Sequence, residues 1–228
     1  MQSLHHVQML ILRELLYNPY SKFTDLNIKD LTSDHFAYHL KILKDLKLVK
    51  KEDGGYILTS EGKEFANTMD TDNAQVEKQP KVGVLIICKK LEEDTEYLLI
   101  QTRKKEPYYD YKGFISGKVR FGEQIIEAGM RELEEETGLK ACLEHIYTIQ
   151  EHVFSNSGKL LEDKIFFVIK ATNPEGKLIS IKEGQNKWIS REDYFQLDKK
   201  FYDEDELLAL LEKRQKGFFY RKYEVEEF

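Results

Sequence analysis

Apolar residues recur at helical intervals through the first third of the chain and are followed by a short alternating stretch. The spacing of Leu4, Val7, Ile11 and Leu15 is typical of an amphipathic helix. With the capping and turn residues that follow, the pattern predicts this order of elements: a helix at 4–16, a helix at 24–30, a helix starting after Thr32 or Ser33, two strands about the turn at 53–55, and a helix in 61–69 capped by Thr59 or Ser60. We therefore expect a small helical domain with a β-hairpin near its end.

Strand patterns replace helical ones beyond residue 80. Apolar, β-branched runs flank two short polar turns and predict two hairpins, within residues 81–103 and 142–172. A short strand pair is expected at 177–190, and the last helices are expected to start at Asp193 or Asp203. The strands and helices together predict an α/β domain.

A polar segment separates the two patterned regions. Residues 69–80 contain few aliphatic side chains and predict a linker, so that the domains are expected at 1–68 and 81–228. The aromatic and charged segment from residue 218 onward has no pattern that assigns it to an element.

One predicted helix, within residues 117–139, has faces of different chemistry. At about 100° per residue, one stripe is mostly apolar and should face a core: Ile126, Met130, Leu133 and Thr137. A second stripe combines three carboxylates with two small residues: Glu132, Glu135 and Glu136 beside Ala128 and Gly129. Close carboxylates repel one another unless a cation lies among them, and a divalent metal with oxygen ligands is the simplest such cation. The small residues would let a ligand approach the helix.

The same stretch resembles the Nudix box, G-x5-E-x7-R-E-U-x-E-E-x-G-U, where U is aliphatic. It matches the box at all nine specified positions: Gly117, Glu123, Arg131, Glu132, Leu133, Glu135, Glu136, Gly138 and Leu139. So many specified positions within twenty-three residues make the resemblance specific. It implies a Nudix α/β/α sandwich with a mixed sheet over about residues 81–215.

The resemblance also implies roles for individual residues around a Mg²⁺ cofactor, for which Mn²⁺ could substitute. The implied metal ligands are the three box glutamates, a backbone carbonyl and an auxiliary carboxylate: Glu132, Glu135, Glu136, Gly117 (or Ser116) and Glu123. Arg131 would orient the neighbouring glutamate, and the catalytic base would be Glu132 or Glu135. The sequence does not separate these two candidates.

Substrate-binding candidates lie outside the helix. Arg103 ends a predicted strand where relatives often place a phosphate-binding arginine, Lys118 lies in the box loop, and Glu183 lies where many relatives carry a further carboxylate. A solvated strand end, a surface lysine and an ordinary loop glutamate are the alternatives. Aromatic residues before the box fit either base stacking or the core: Tyr108, Tyr109, Tyr111 and Phe114. Ser116 and Arg120 depart from the commoner Nudix loop sequence, which leaves substrate choice open.

The helical domain is similar to the winged helix-turn-helix superfamily, through residues 35–62. If it binds DNA, the third helix and the wing supply the candidates: His35, Tyr38, Lys41, Lys50 and Lys51. Residues 1–70 contain nine basic and ten acidic side chains, a poor balance for attracting DNA. A dimerisation role, with Ile42 exposed, is the alternative, and we expect a homodimer. His35 and His39 lack a nearby third ligand, which disfavours a metal site between them.

The composition of the chain indicates more about the cellular compartment of the protein than about its activity. A net charge of −6 argues against a protein coated for nucleic acid. Cys88 and Cys142 lie in apolar stretches without metal-site spacing, which predicts buried free thiols in a reducing cytosol. No run of eighteen apolar residues and no signal-peptide pattern is present, so we expect a cytoplasmic protein without a membrane span.

These observations support two functions of different classes. The first is a Mg²⁺-dependent Nudix hydrolase that splits the diphosphate of a nucleoside diphosphate-X compound, with a nucleotide sugar, a dinucleotide or a nucleoside triphosphate as substrate. The second is a winged-helix transcriptional regulator whose Nudix domain senses a nucleotide metabolite such as ADP-ribose. The complete box favours catalysis.

Overall fold

A computed structural model of the chain describes residues 4–201, 204–213 and 216–225. It divides into two compact units, Met1–Lys78 and Gln79–Phe228. The division falls within the segment expected to be a linker. Each unit has its own hydrophobic core.

The N-terminal unit follows the element order predicted from its apolar spacing. Its elements are α1 His6–Tyr17, α2 Phe23–Leu26, α3 Ser33–Asp45, β1 Val49–Glu52, β2 Gly55–Leu58, α4 Ser60–Ala66, β3 Met69–Asp70 and β4 Gln75–Val76. Leu12, Leu15, Leu26 and Leu43 are fully or almost fully buried between the helices. β1 and β2 pair antiparallel about residues 53 and 54, as expected for a wing.

Two expectations for this unit were wrong in detail. The second helix ends at Leu26 rather than Asp30, because the Asn27 side chain bonds both backbone groups of Leu31 and replaces the next helical turn. Part of the expected linker is structured, since Met69 and Ala74 are buried in the unit's core and their segment forms the β3–β4 hairpin.

The C-terminal unit is built on a mixed sheet. Its elements are β5 Lys81–Glu92, β6 Thr95–Arg103, β7 Lys112–Gly113, β8 Ile115–Lys118, α5 Ile125–Thr137, β9 Leu139–Ser155, β10 Leu160–Gly176, β11 Gly184–Ser190, α6 Arg191–Phe195, α7 Glu204–Glu212 and β12 Phe218–Val225. The sheet order is β11-β6-β5-β10-β9-β12, with β7 beside β6 and β8 beside β5. β10 runs parallel to β5, and β12 runs parallel to β9.

Helices cover both faces of this sheet, which confirms the α/β/α sandwich. On one face α5 contributes Ala128 and Leu133 to a core that includes Ile86. On the other face α6 and α7 contribute Tyr194 and Leu207 to a second core. Alternation along β5 feeds both cores, because successive strand residues point to opposite faces.

The two predicted hairpins are confirmed as β5–β6 and β9–β10. The strand pair expected at 177–190 is instead the single strand β11, which pairs with β6, since only an isolated bridge joins Ile181 to Gly184. α6 starts at Arg191, because the Ser190 hydroxyl caps it by accepting from the Asp193 backbone. The alternative start at Asp203 lies outside the described residues.

The cysteines differ from each other. Cys88 is buried in the core under α5, where burial raises the pKa of its thiol to about 12. Cys142 is exposed, contrary to expectation, because strand alternation places its neighbours Ala141 and Leu143 against the core and Cys142 on the other side. None of the helices in the described part of the chain is long and apolar enough to cross a membrane.

Candidate functional site

Helix α5 carries the candidate carboxylates and is anchored at both ends. Gln124 forms a reciprocal capping box with Glu127, and Gly138 ends the helix in the left-handed conformation at φ 73°. The predicted core stripe is confirmed at Leu133 and Thr137, which are fully buried, and at Ile126, which packs against the core. It is wrong at Met130, which is 50% exposed, and Ala128 and Gly129 pack on the sheet instead. A Cβ on Gly129 would lie 2.6 Å from Ile169 Cδ1, so the small residues allow close sheet packing.

In this orientation of α5, one box carboxylate points toward the sheet. Glu132 is only 9% exposed and lies against the backbone of β8. A Cβ on Gly117 would overlap the Glu132 carboxyl group, so the first glycine of the box leaves room for that side chain. Burial raises the pKa of Glu132, as do the nearby charges of Glu136 and Glu135, while the hydrogen bond from Arg131 opposes the shift.

Arg131 connects the box helix to the preceding loop. Its Nε and Nη2 donate to the two Glu123 carboxylate oxygens at 2.6 and 2.8 Å, a bidentate arrangement. Nη1 donates to Glu132 Oε1 at 2.6 Å, and Nη2 also donates to the Lys118 carbonyl at 2.9 Å. The hydrogen bond from Arg131 holds the pKa of Glu123 down to about 2.

The other two box glutamates have different surroundings. Glu135 is exposed and pairs with Arg131 at 3.2 Å and Arg120 at 3.3 Å. Glu136 is half-buried and accepts a 2.9 Å hydrogen bond from Gln101 Nε2. The Arg120 guanidinium thus faces a box carboxylate.

The donor set fits a divalent cation. Four carboxylates (Glu123, Glu132, Glu135 and Glu136) face two guanidinium groups (Arg120 and Arg131), which leaves the site with excess negative charge. As positioned, the described residues include no group of three acidic, histidine or cysteine side chains that could hold a metal ion. Arg131 donates to Glu123, Glu132 and Glu135, and Gln101 donates to Glu136. The candidate ligand atoms of these side chains are all oxygens, the type that Mg²⁺ prefers.

A cavity of about 710 Å³ opens beside these carboxylates. Its lining includes Glu132, Glu136, Gly117 and Lys118, while Glu135 is not part of the lining. Two of the three box glutamates, Glu132 and Glu136, therefore reach the cavity. The structure brings seven predicted residues together on and around α5: Glu123, Arg131, Glu132, Glu135, Glu136, Gly117 and Lys118.

Two predicted substrate ligands, Arg103 and Glu183, are bonded to other parts of the protein. Arg103 lines the cavity, but its Nε donates to the carbonyls of Pro107 at 2.7 Å and Lys105 at 3.0 Å, so it shapes the loop after β6. Glu183 forms an ion pair with Lys105 and is not part of the cavity lining. Of the aromatic residues, Tyr108 and Phe114 line the cavity, whereas Tyr109 is 53% exposed.

Sequence reasoning missed two amides that support Glu136. Gln101 Nε2 bonds both Glu136 and, at 3.2 Å, the Asn186 side chain. Asn186 is 6% exposed and donates to the backbone carbonyls of Glu136 at 2.6 Å and Ile179 at 2.9 Å. A buried polar residue within the strand run at 184–190 was the available signal, since buried amides require partners.

In the N-terminal unit, every candidate for DNA contact is exposed: His35, Tyr38, Lys41, Lys50 and Lys51. Lys50 is paired with Glu52 at 2.5 Å. A third histidine does lie near the pair His35 and His39, contrary to expectation, since His5 stacks on His39 with ring centroids 4.6 Å apart. His39 Nε2 lies 3.2 Å from His35 Nε2.

The C-terminal unit matches a known family model and is similar to several solved structures. The family model described as NUDIX domain matches residues 77–211. The Nudix domain of NrtR from Shewanella oneidensis, a cocrystal structure with ADP ribose, is 18% identical, with 68% of this chain and 99% of that chain covered at a TM-score of 0.53. The MutT protein of Bacillus halodurans is 23% identical, with 56% and 78% covered at a TM-score of 0.46. A NUDIX hydrolase of Nitrosomonas europaea is 16% identical, with 78% and 93% covered at a TM-score of 0.47.

Proposed function

Because the chain belongs to the Nudix family, we propose that its C-terminal unit is a Mg²⁺-dependent hydrolase that cleaves the diphosphate of a nucleoside diphosphate-X compound. The observation that carries this proposal is the complete set of box carboxylates, bridged by Arg131 and in excess over the neighbouring guanidinium groups. The S. oneidensis domain that shares the fold was solved with ADP ribose, which supports a nucleotide-derived ligand.

Glu132, Glu135 and Glu136 would hold the metal, with Glu123 and the Gly117 carbonyl as auxiliary oxygens. When bound, Mg²⁺ would neutralise charge on the two phosphates and orient them. Lys118, which lines the same cavity as Glu132 and Glu136, would add positive charge near the diphosphate. Arg103 would act indirectly, by holding the loop at 105–107 against the cavity.

A carboxylate of α5 would accept the proton of the attacking water. The water oxygen forms a bond to one phosphorus, the bridging P–O bond breaks, and the products are a nucleoside monophosphate and phosphorylated X. Glu132 and Glu135 are the two candidates for this base. The bond from Arg131 Nη1 would keep Glu132 oriented toward β8 in either case.

The test is hydrolysis of a nucleotide panel with Mg²⁺, with and without chelator, in which released products identify the bond broken. Glu135→Gln and Glu136→Gln should each lower turnover by roughly two to three orders of magnitude, since metal stabilisation of phosphoryl charge amounts to several kcal/mol. Glu134→Gln is the matched control, because Glu134 lies on the same helix but is exposed and pairs with Lys140 at 3.1 Å. Turnover close to wild type in both variants would refute these roles.

A second candidate function is nucleotide-responsive DNA binding. The observation that favours it is the exposed face of α3, which presents Tyr38 at 60% exposure next to Lys41, together with a wing carrying Lys50 and Lys51. A mobility shift on random duplex at low salt, with and without nucleotide, tests it. No shift, with a homodimer measured by light scattering, would assign the unit to dimerisation. The proposed compartment is the cytosol, where both free cysteines would stay reduced.

A further inference from the structure

Two amide side chains from neighbouring strands contact the last box glutamate of α5. We call Gln101 of β6 and Asn186 of β11 the amide pair, since the antiparallel register places them directly opposite each other. Gln101 Nε2 lies 3.2 Å from Asn186 Oδ1 and 2.9 Å from Glu136 Oε2. A Cβ on Gly184 would lie 2.3 Å from Gln101 Cδ, so this glycine leaves room for the Gln101 side chain. The amide pair is therefore closely packed next to α5.

Backbone carbonyls hold the Asn186 side chain in one orientation. Its Nδ2 donates to the Glu136 carbonyl at 2.6 Å and to the Ile179 carbonyl at 2.9 Å, which uses both of its hydrogens. The Glu136 carbonyl is one of the last four of α5, which have no partner within the helix and need a donor from elsewhere. The amide oxygen of Asn186 must therefore face Gln101.

The orientation of Asn186 in turn fixes that of Gln101. Because an amide oxygen accepts hydrogen bonds but cannot donate them, the Gln101 atom that faces Asn186 Oδ1 must be its nitrogen. The second hydrogen of this nitrogen is directed at Glu136 Oε2. Exchanging the oxygen and nitrogen of Gln101 would set an oxygen against an oxygen at both contacts. The amide pair thus presents an N–H donor to the Glu136 carboxylate.

This donor is neutral, whereas the other two box glutamates bond to a cation. Glu132 and Glu135 both accept from the Arg131 guanidinium. A guanidinium offsets the charge of a carboxylate and competes with a metal ion for it, while an amide orients the carboxylate and leaves its charge in place. Glu136 also lines the cavity. The amide pair therefore orients a cavity carboxylate without adding positive charge to it.

We propose that the amide pair positions Glu136 to bind a divalent cation, and that Asn186 acts through Gln101. Both are positioning residues, since neither is part of the described cavity lining. This inference rests on the proposed function and adds to its metal site two residues from outside the box. Hydrogen-bond partners of metal ligands typically contribute roughly 10- to 100-fold in metal affinity, so loss of the amide pair should be measurable without substrate.

The test is the affinity of the full chain for Mn²⁺ without nucleotide, measured from the electron paramagnetic resonance signal of the free ion. Gln101→Met removes the donor at similar side-chain length and should weaken Mn²⁺ binding by about 10-fold or more. Asn186→Leu should weaken it by a similar factor. The double variant should bind no more weakly than the weaker single variant, because the two residues act in series. Gln185→Met, the same change at the exposed neighbour of Asn186, should bind like wild type.

A second readout separates positioning from a structural role. Both single variants should raise the Mg²⁺ concentration for half-maximal turnover by about 10-fold, while turnover at saturating Mg²⁺ falls by a smaller factor. A purely structural pair would lower the melting temperature and leave the Mn²⁺ affinity of the folded protein unchanged. If Asn186→Leu does not fold, Gln101→Met decides the proposal, because Gln101 contacts Glu136 directly.

Unchanged Mn²⁺ affinity in Gln101→Met would overturn the inference, and additive losses in the double variant would refute the action of Asn186 through Gln101. Mn²⁺ binding that Gln101→Met weakens, without hydrolysis of any nucleotide by wild type, would support the amide pair and refute the hydrolase. Hydrolysis by wild type with the same Mn²⁺ affinity in both single variants would refute the amide pair alone. Absence of Mn²⁺ binding by wild type would refute both proposals.

Discussion

Gly117 and Glu132 depend on each other for their positions. The buried carboxylate of Glu132 occupies the space that a side chain on Gly117 would need, so the glycine is required by a neighbouring side chain. The first and sixteenth positions of the box therefore form one structural unit, although they are far apart in sequence.

Gly117→Ala should lower turnover by about 100-fold or more, because a displacement of about 1 Å in a positioning group has effects of that size. The added methyl would push Glu132 away from β8 and weaken its hydrogen bond with Arg131. Steady-state kinetics and a circular-dichroism melt check this prediction. Ser116→Ala, which adds no atom and keeps the backbone carbonyl, is the control. Wild-type turnover in Gly117→Ala would show that Glu132 is not held as described.

His39 should make stability depend on pH. Burial lowers its pKa, and the nearby His5 and His35 lower it further, so the folded state binds a proton less readily than the unfolded state. The stabilising contribution is complete above the unfolded value, about 6.5, and is lost as pH falls through the interval between the unfolded and folded values.

Hydrogen exchange measured by mass spectrometry at several pH values between 7 and 5 tests this dependence. Amides of α1 and α3 should lose protection toward pH 5 in wild type, and the loss should be smaller in His39→Phe compared at equal pH. His6→Gln, a change at an exposed histidine of α1, should behave like wild type. An identical loss in His39→Phe would assign the pH dependence to other groups.

The last box glutamate of α5, Glu136, lies near the C-terminal end of the helix and bonds to Gln101 of β6. The C-terminal turn of α5 therefore affects the site as well as the stability of the fold. Gly138 adopts φ 73°, and a Cβ there would lie 2.7 Å from the Lys177 carbonyl oxygen. Gly122 also has a positive φ, at 81°, but a Cβ there would meet no atom within 4 Å. Alanine substitutions at Gly122 and Gly138 therefore separate the energetic cost of backbone strain from that of a steric clash.

Gly122→Ala should reduce the free energy of unfolding by about 1–2 kcal/mol, the cost of a left-handed conformation with a Cβ. Gly138→Ala should reduce it further, because the clash is added to the same strain. Urea unfolding followed by Trp188 fluorescence reports on this unit, since the chain has one tryptophan. Equal losses in the two variants would show that the Lys177 carbonyl moves away without cost.

The elements that sequence patterns predicted best are those with strong local signals. The box helix, the two long hairpins and the helix cap at Thr59 follow from periodicity and capping chemistry, which are properties of neighbouring residues. Thr32 precedes α3 as predicted, but its side chain makes no capping hydrogen bond. The start of α6 and the length of α2 were missed because the hydrogen bonds of one side chain decide each of them, Ser190 for α6 and Asn27 for α2.

Features that depend on long-range packing could not be predicted from local patterns. The orientation of α5 is decided by the sheet, which takes Ala128 and Gly129 inward and leaves Met130 exposed. β12 carries alternating residues, but its place beside β9 depends on a parallel pairing about seventy residues away. For the same reason, the box predicted the acidic residues of the candidate site, whereas Gln101 and Asn186 emerged only from the structure.

The central claim is that the carboxylates of α5 hold a divalent cation against a diphosphate. A crystal of the full chain grown with Mn²⁺ and a methylene-bridged ADP-ribose analogue, with anomalous scattering to locate the metal, tests it most directly. We predict a metal ion bound by at least two of Glu132, Glu135 and Glu136 and in contact with the analogue's phosphates. An ordered analogue in the cavity with no metal at these side chains, and with Glu132 and Glu136 still held only by Arg131 and Gln101, would contradict the account.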